Sequence, residues 1–228
     1  MSDLLKDFFY KIGIYKQAKK YLMKPYGKFR GVTFRLSANQ AIKLFLEVMN
    51  NNGFKYWLEF GSLLGAIREK GLIPHDCDFD VAMFIEDRDE KMEESLVESG
   101  FHLIRRARLI SGEIIEETYK YKTAHIDIFY AYKEGGKVKV YSHQTFDNLS
   151  PSECIKRHGG LQVYEYCLTG FDLISYEFLG INVGIPGNYH SHLVEVYGQD
   201  YMIPNKNWSE DSCSIRIKTN KFALVEYP

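Results

Sequence analysis

The sequence predicts an α+β domain in which a β-sheet is flanked by helices. Three observations carry that prediction. Val81-Ala82-Met83-Phe84-Ile85 is a wholly apolar run, as expected of a central strand covered on both faces. A helix with a buried apolar face stands before it, at Ala41 to Met49, and a polar helix closed by Gly100 after it, from Asp87 to Ser99. A succession of strand-like segments then runs from Phe101 to Tyr141 with no helical pattern between them.

Taken in chain order, the first element is a basic amphipathic helix from Leu4 to Leu22. Leu4, Leu5, Phe8, Phe9, Ile12, Tyr15, Ala18, Tyr21 and Leu22 recur at helical spacing with lysines between them. Such a helix either attaches peripherally to an anionic membrane surface or docks on the domain with its lysine face solvated. A second helix is expected to start at Ser37-Ala38-Asn39-Gln40, where the Ser and Gln side chains can satisfy each other's free N–H groups. Asn50-Asn51-Asn52-Gly53 ends it.

A short strand from Lys55 to Phe60 leads into Gly61-Ser62 and a helical turn carrying Leu63, Leu64, Ala66 and Ile67. The next strand is expected from Asp76 to Ile85. A polar helix from Asp87 to Ser99 follows, closed by Gly100, with its acidic run forming a solvated face. Strands are expected near Phe101 to Leu109, Ile114 to Lys122 and Ala124 to Tyr132. A hairpin turn at Glu134-Gly135-Gly136-Lys137 precedes Val138 to Tyr141. Residues 145–228 read as an irregular part with short strands at Gln162 to Cys167 and Phe171 to Phe178 and a helix at Tyr189 to Tyr197. The preferred division is a basic helical arm, 1–36, and one catalytic domain, 37–228.

The 228 residues carry 29 basic and 30 acidic side chains, a net charge of -1. That balance argues against a protein that coats nucleic acid, because counterion release needs a strongly basic surface. The charge is unevenly placed. Residues 1–36 hold nine cations against Asp3 and Asp7, a local +7, so the remainder carries -8. No segment approaches the roughly 18 apolar residues of a membrane span, and the start lacks a signal peptide's apolar stretch. The expectation is a cytoplasmic protein, held at the inner face of the membrane if the basic arm binds lipid. Cys77, Cys154, Cys167 and Cys213 form no CxxC pair, so neither a zinc site nor a disulfide framework is indicated.

The chemistry concentrates in Gly61-Ser62-Leu63-Leu64-Gly65-Ala66-Ile67-Arg68 and His75-Asp76-Cys77-Asp78-Phe79-Asp80. On an extended strand, Asp76, Asp78 and Asp80 point to one face while Cys77, Phe79 and Val81 point into the core. Three carboxylates on one face raise each other's pKa unless a cation sits among them. A hard divalent ion is the natural partner, and Mg²⁺ typically binds through one or two carboxylates plus substrate phosphate. His125-Ile126-Asp127-Ile128-Phe129 is another strand with a lone acid, able to complete the cluster if the two strands are neighbours. Gly61-Ser62 at a strand-to-helix turn offers N–H groups, a hydroxyl and a helix N-terminus to a phosphate, and Arg68 offers a bidentate fork.

These motifs closely resemble the LicD and fukutin-related phosphotransferases, which have a nucleotidyltransferase-like fold with a mixed sheet. The resemblance rests on the run from Gly61 to Phe84, on His125 to Phe129, and on Ile185-Pro186-Gly187-Asn188-Tyr189 with Tyr197-Gly198-Gln199-Asp200-Tyr201-Met202 and Pro204. It implies Mg²⁺-dependent transfer (Mn²⁺ being the alternative) of a phospho-alcohol, such as phosphocholine or ribitol phosphate, from a CDP-linked donor. The acceptor implied is a sugar hydroxyl of a glycan or lipid-linked glycan, and CMP is released. By matching motif positions, Asp78 and Asp80 become metal ligands, Asp127 the third acid, serving as ligand or proton acceptor, and Gly61, Ser62 and Arg68 the phosphate-binding turn. Asp76 and His75 stand beside them as donor or acceptor contacts. The family commonly has Trp and a second Asp where this chain has His75 and Cys77. A thiol is a poor Mg²⁺ ligand, so Cys77 is expected to be structural. Two alternatives remain open from residues alone: a nucleotidyltransferase moving NMP from an NTP, and a non-catalytic glycan- or membrane-binding module. No GxxxxGK[ST] run exists for a P-loop kinase.

Overall fold

A computed structural model describes residues 3–18, 21, 24–146, 149–205 and 207–228. It is an α+β fold with a large mixed sheet flanked by helices, as expected. The amphipathic segment at the start forms two helices, α1 (Asp3–Lys11) and α2 (Tyr15–Ala18), rather than one. The break falls at Gly13, whose φ of 75° is left-handed backbone that glycine adopts without strain. Lys19, Lys20 and Leu22 lie outside the described residues.

The helix expected to start at Ser37 starts earlier: α3 runs from Lys24 to Asn51. The capping pattern is preempted by tertiary partners. The Ser37 hydroxyl pairs with the Thr123 hydroxyl at 2.7 Å, and Gln40 accepts a hydrogen bond from Lys122 Nζ at 2.7 Å. After it come β1 (Trp57–Leu58), α4 (Phe60–Arg68), β2 (Phe79–Phe84) and α5 (Glu90–Glu98), the last capped by Asp89. Four long strands follow, β3 (His102–Leu109), β4 (Ile114–Tyr121), β5 (Ala124–Glu134) and β6 (Lys137–Gln144). Gly135 and Gly136, both at positive φ, make the β5–β6 turn as anticipated.

Residues 145–228 hold more regular structure than expected: α6 (Pro151–His158), β7 (Leu161–Thr169), β8 (Leu173–Phe178), β9 (Ile181–Pro186), α7 (Tyr189–Tyr197) and β10 (Arg216–Glu226). The last strand sits between β3 and β7, in the order β1-β2-β5-β4-β3-β10-β7-β6. β6 also pairs with β5, so six antiparallel strands close into a ring. β5 serves both arrangements. Its residues from Ile126 to Ala131 lie parallel to β2, and those from Ala131 to Glu134 lie antiparallel to β6.

The two faces of β2 and β5 are covered differently. Phe79, Val81 and Met83 of β2 with Ile126, Ile128 and Tyr130 of β5 pack against Phe34, Ile42, Phe45 and Met49 of α3 and Leu63 and Ile67 of α4. Ala82, Phe84 and Ala131 turn to the opposite face, into a second cluster with Trp57, Val138, Val140 and Tyr166. Asp80 and Asp127 share that second face, since side chains alternate along each strand. The first face fixes the strands, and the second carries the acids.

Candidate active site

Asp80 is held by its backbone. Its N–H donates to the Ser62 hydroxyl at 2.7 Å, and its carbonyl accepts from Glu59 N–H at 3.2 Å. The acid is thereby clamped between the start of α4 and the end of β1. Across the parallel pairing, Asp80 is in register with Asp127, Asp127 with Thr118 of β4, and Thr118 with Arg105 of β3. Hydrogen bonds link three of these four side chains. The Thr118 hydroxyl donates to Asp127 Oδ1 at 2.5 Å, and Arg105 Nε donates to the same hydroxyl at 3.1 Å. Arg105 Nη2 lies 3.7 Å from Asp127 Oδ1 and bonds Glu116 Oε1.

A cavity of about 980 Å³ opens over this row. Gly61, Arg68, His75, Asp76, Asp78, Asp80 and Asp127 all line it, so seven of the eight residues singled out from sequence converge on one space. Ser62 is the exception. It is buried, and its hydroxyl accepts from Asp80 N–H.

The N-terminus of α4 differs from the expected anion cradle. Glu59 caps it, its carboxylate accepting from Phe60 N–H at 3.1 Å, while Ser62 N–H and Leu63 N–H donate to the Glu59 carbonyl. Gly61 stands where a Cβ would come 3.1 Å from Asp76 Oδ2 and 3.6 Å from Asp80 Oδ2. Its missing side chain lets the helix approach the acids.

Two local expectations need correction. β2 begins at Phe79, so Asp76 and Asp78 are not on a strand. They precede it, after a turn at Pro74-His75, and reach the cavity from there. Cys77 is correspondingly not a core residue; it is half-buried, with its Sγ 3.4 Å from Asp78 Oδ2. His75 is exposed. Arg68 is held by the Tyr201 carbonyl at 3.2 Å and by Glu69 at 2.8 Å.

The electrostatics follow from crowding. Burial and then the Asp78 charge push Asp76 up to about 7, against Arg68 and Arg35. Burial and then Glu116 push Asp127 up to about 7, against Arg105. Asp80 is raised well above the usual carboxylate range by burial and then by Asp78, Asp127, Asp76 and Glu116. Glu116 goes the other way: burial opposes its charge, but Arg105 and His143 outweigh burial and hold it at about 2. Tyr197, at the end of α7, is raised by burial and then by the Asp80 charge. Among the described residues no three His, Cys, Asp or Glu side chains are gathered closely enough to hold a metal ion by themselves. The donor set is instead a pair of in-register carboxylates with Asp78 beside them, which fits a hard ion that takes one or two carboxylates and completes its shell from water and phosphate.

Sequence reasoning missed Arg105, Glu116, His143 and Tyr197 of the cavity wall, and the buried Glu59 beneath it. One signal was available. Arg105-Arg106 and Glu116-Glu117 are opposite charges on successive strands, and the register does set Arg106 against Glu117.

An acid-bearing pair of parallel strands, approached by the Gly-Ser start of a helix and roofed by a C-terminal helix, defines a domain of the nucleotidyltransferase type. The family model for the LicD/FKTN/FKRP nucleotidyltransferase domain matches residues 53–188. The chain belongs to this family. It is 25% identical over 208 residues to ribitol-5-phosphate transferase FKTN of Mus musculus, covering 90% of this chain and 42% of that protein. With ribitol 5-phosphate transferase FKRP of Mus musculus it shares 26% over 164 residues, 70% of this chain and 31% of the relative. A 60-residue stretch is 40% identical to the uncharacterized protein RP689 of Rickettsia prowazekii (strain Madrid E), 24% of this chain and 23% of that one. The chain thus spans about two-fifths of the length of the FKTN relative it matches.

Proposed function

We propose that the domain transfers an alcohol phosphate, ribitol phosphate in the first instance, from a CDP-linked donor to a sugar hydroxyl of a glycan and releases CMP. The observation that carries this reading is the in-register pair Asp80 and Asp127 facing a cavity that also holds Arg68. The choice of alcohol rests on the relatives, which are named as ribitol-5-phosphate transferases. One or two of Asp78, Asp80 and Asp127 would hold Mg²⁺, or Mn²⁺, with water and donor phosphate completing its shell, and the ion would supply neutralisation of charge at the donor phosphates.

The chain's own residues do the rest. Arg68, its guanidinium steadied by Glu69 and the Tyr201 carbonyl, meets a phosphate oxygen. Gly61 lets the diphosphate approach the acids. Trp208, tilted against Tyr197 at 4.6 Å, gives the far wall an apolar surface for a base or an alcohol chain. Phosphoryl transfer is mostly positioning and charge stabilisation, which such a wall can provide.

The basic arm is proposed to hold the domain against an anionic membrane surface on the cytoplasmic side, near a lipid-linked acceptor. No helix among the described residues is long and apolar enough to cross a membrane. α1 instead leaves Leu5 and Phe8 exposed at 41% and 54%, and Ile12 just after it at 50%, in a segment that also carries Lys6 and Lys11. Sedimentation with anionic but not neutral vesicles tests this.

The activity is tested with a panel of CDP-ribitol, CDP-glycerol, CDP-choline, CTP and ATP with Mg²⁺, read by product analysis and thermal shift. CMP release with stabilisation by one CDP-alcohol is expected, about 2.7 kcal/mol at a hundred times its Kd. Pyrophosphate release from an NTP would replace this reading with nucleotidyl transfer. Absence of stabilisation by every nucleotide would leave a binding module.

A further inference from the structure

Transfer to a sugar hydroxyl requires that the hydroxyl lose a proton. Asp127 is assigned to the metal above, and its Oδ1 already accepts from the Thr118 hydroxyl with Arg105 Nη2 3.7 Å away, so the proton needs another acceptor. His143 of β6 also lines the cavity, with its side chain 8% exposed. Its Nδ1 is buried, makes no well-aligned hydrogen bond, and has Glu116 Oε2 at 3.3 Å. Glu116 is itself buried and anchored through its other oxygen by Arg105.

This is not the arrangement of a histidine that merely fills a core. The structural histidine of this fold, His192, has Nε2 at 2.7 Å from Glu59 and is 1% exposed. The contact of His143 is longer and its ring borders open space, as catalytic hydrogen bonds commonly do before substrate binds. Glu116 does not need His143 for satisfaction, since Arg105 already pairs with it. With Nδ1 turned to the carboxylate, the opposite ring nitrogen, Nε2, is left for a molecule in the cavity.

We propose that His143, oriented by Glu116, is the base that accepts the proton of the acceptor hydroxyl. The inference rests on the phosphotransferase reading above. In the step, a lone pair of the acceptor oxygen forms a bond to the donor's β-phosphorus. The bond from that phosphorus to CMP breaks, its electron pair leaving with CMP. The hydroxyl proton passes to Nε2 and from there to CMP or water, so charge and atoms balance. Arg105 on β3, Glu116 on β4, Asp127 on β5, Tyr166 on β7 and Glu210 are among the ionisable groups that line the cavity with His143.

The test compares wild type with His143→Gln and Glu116→Gln in a steady-state assay with a CDP-alcohol and an acceptor, and reads the His143 tautomer by ¹⁵N NMR. For His143→Gln, kcat is expected to fall about 100-fold or more, the KM for donor to stay within about threefold, and added imidazole to restore part of the rate. Glu116→Gln is expected to lower kcat less, as befits a positioning residue. The wild-type ring is expected to carry its proton on Nδ1, and added CMP to shift the Nε2 resonance. A His143→Gln variant with kcat within about threefold of wild type, or a ring protonated on Nε2, overturns the assignment. A wild-type protein that releases no CMP from any CDP-alcohol overturns the phosphotransferase reading instead, and the tautomer then decides whether the His143–Glu116 pair exists.

Discussion

Asp80 and Asp127 stand side by side, in register on two parallel strands, and face the same cavity. Nothing in local folding rewards this. Two like charges on adjacent strands repel, and here burial and neighbouring acids raise both carboxyls above their ordinary range. The rest of the structure imposes the pair: Ser62 and Glu59 fix Asp80 through its backbone, while Thr118 and Arg105 fix Asp127 through its side chain. A fold that holds such a pair in place retains a destabilising element where charge chemistry is needed.

Replacing one member should therefore separate stability from activity. Asp80→Asn keeps the backbone bonds to Ser62 and Glu59 and removes the repulsion. At pH 8 without metal the variant should melt higher than wild type by a few degrees, on the order of 1 kcal/mol or more. Turnover should fall by about 10²-fold or more. Differential scanning fluorimetry beside the CMP assay checks both; a variant that melts lower and turns over normally would remove Asp80 from the site.

The raised acids also give the metal-free protein a direction with pH. Asp76 and Asp127 move from an ordinary 3.8 to about 7 on folding. The folded state binds their protons more tightly, so the stability they contribute is full below 3.8 and is lost as pH rises through about 7. Mg²⁺ should offset that loss. Its stabilising effect should be larger at pH 8 than at pH 5, and binding near pH 6.5 should release protons. Calorimetry in buffers of different ionisation enthalpy measures the release. Equal Mg²⁺ shifts at both pH values, with no proton release, would mean that the ion binds elsewhere.

The parts of this site visible in the sequence were those written into one strand or one turn. The apolar run after Asp80 and the lone acid between Ile126 and Ile128 follow the period of two, and Gly61-Ser62 sits at a strand-to-helix junction. What stayed hidden depends on which strands meet. Arg105, Glu116 and His143 belong to β3, β4 and β6, and only the closing of the ring brings them together. β10 was hidden for another reason. It is largely exposed, pairs with strands fifty or more residues away in sequence, and lacks a clean alternation. The misplaced helix start at Ser37 has the same origin, a local capping pattern overridden by Thr123, a partner 86 residues away.

Gly61 offers a test of approach rather than charge. An alanine Cβ there would meet the Asp76 carboxylate at 3.1 Å and Asp80 Oδ2 at 3.6 Å, both ends of side chains that can yield. Within a helix, Gly→Ala also adds up to about 1 kcal/mol of propensity. Gly61→Ala should therefore keep its stability within about 1 kcal/mol while the displaced carboxylates weaken Mg²⁺ and donor affinity by about tenfold. Titration of Mg²⁺ by thermal shift reads this directly, and an unchanged affinity would show that α4 does not set the position of the acids.

The C-terminal helix is tied to this site through a charge with no access to water. Glu59 is fully buried at the start of α4 and accepts three hydrogen bonds, from Trp57 Nε1 at 2.7 Å, His192 Nε2 at 2.7 Å and Phe60 N–H at 3.1 Å. Burial works against its ionisation, but the His192 charge and hydrogen bond, then Trp57 and Phe60, outweigh it and lower its pKa. Because the folded value is lowered, the stability it contributes is present above the ordinary 4.5 and is lost as the solution becomes more acidic. Removing His192 strands the carboxylate: His192→Ala should cost about 3 kcal/mol or more. Glu59→Gln should cost less, about 1–3 kcal/mol, because one amide oxygen cannot accept all three donors. Urea melts of the two single variants and the double variant at pH 7 give the coupling, expected to be well above 1 kcal/mol. Since α7 also carries Val196 and Tyr197 on the cavity wall, the His192 variant should bind donor more weakly even where it remains folded. A coupling near zero, with donor affinity intact, would mean that α7 is positioned by its apolar contacts alone.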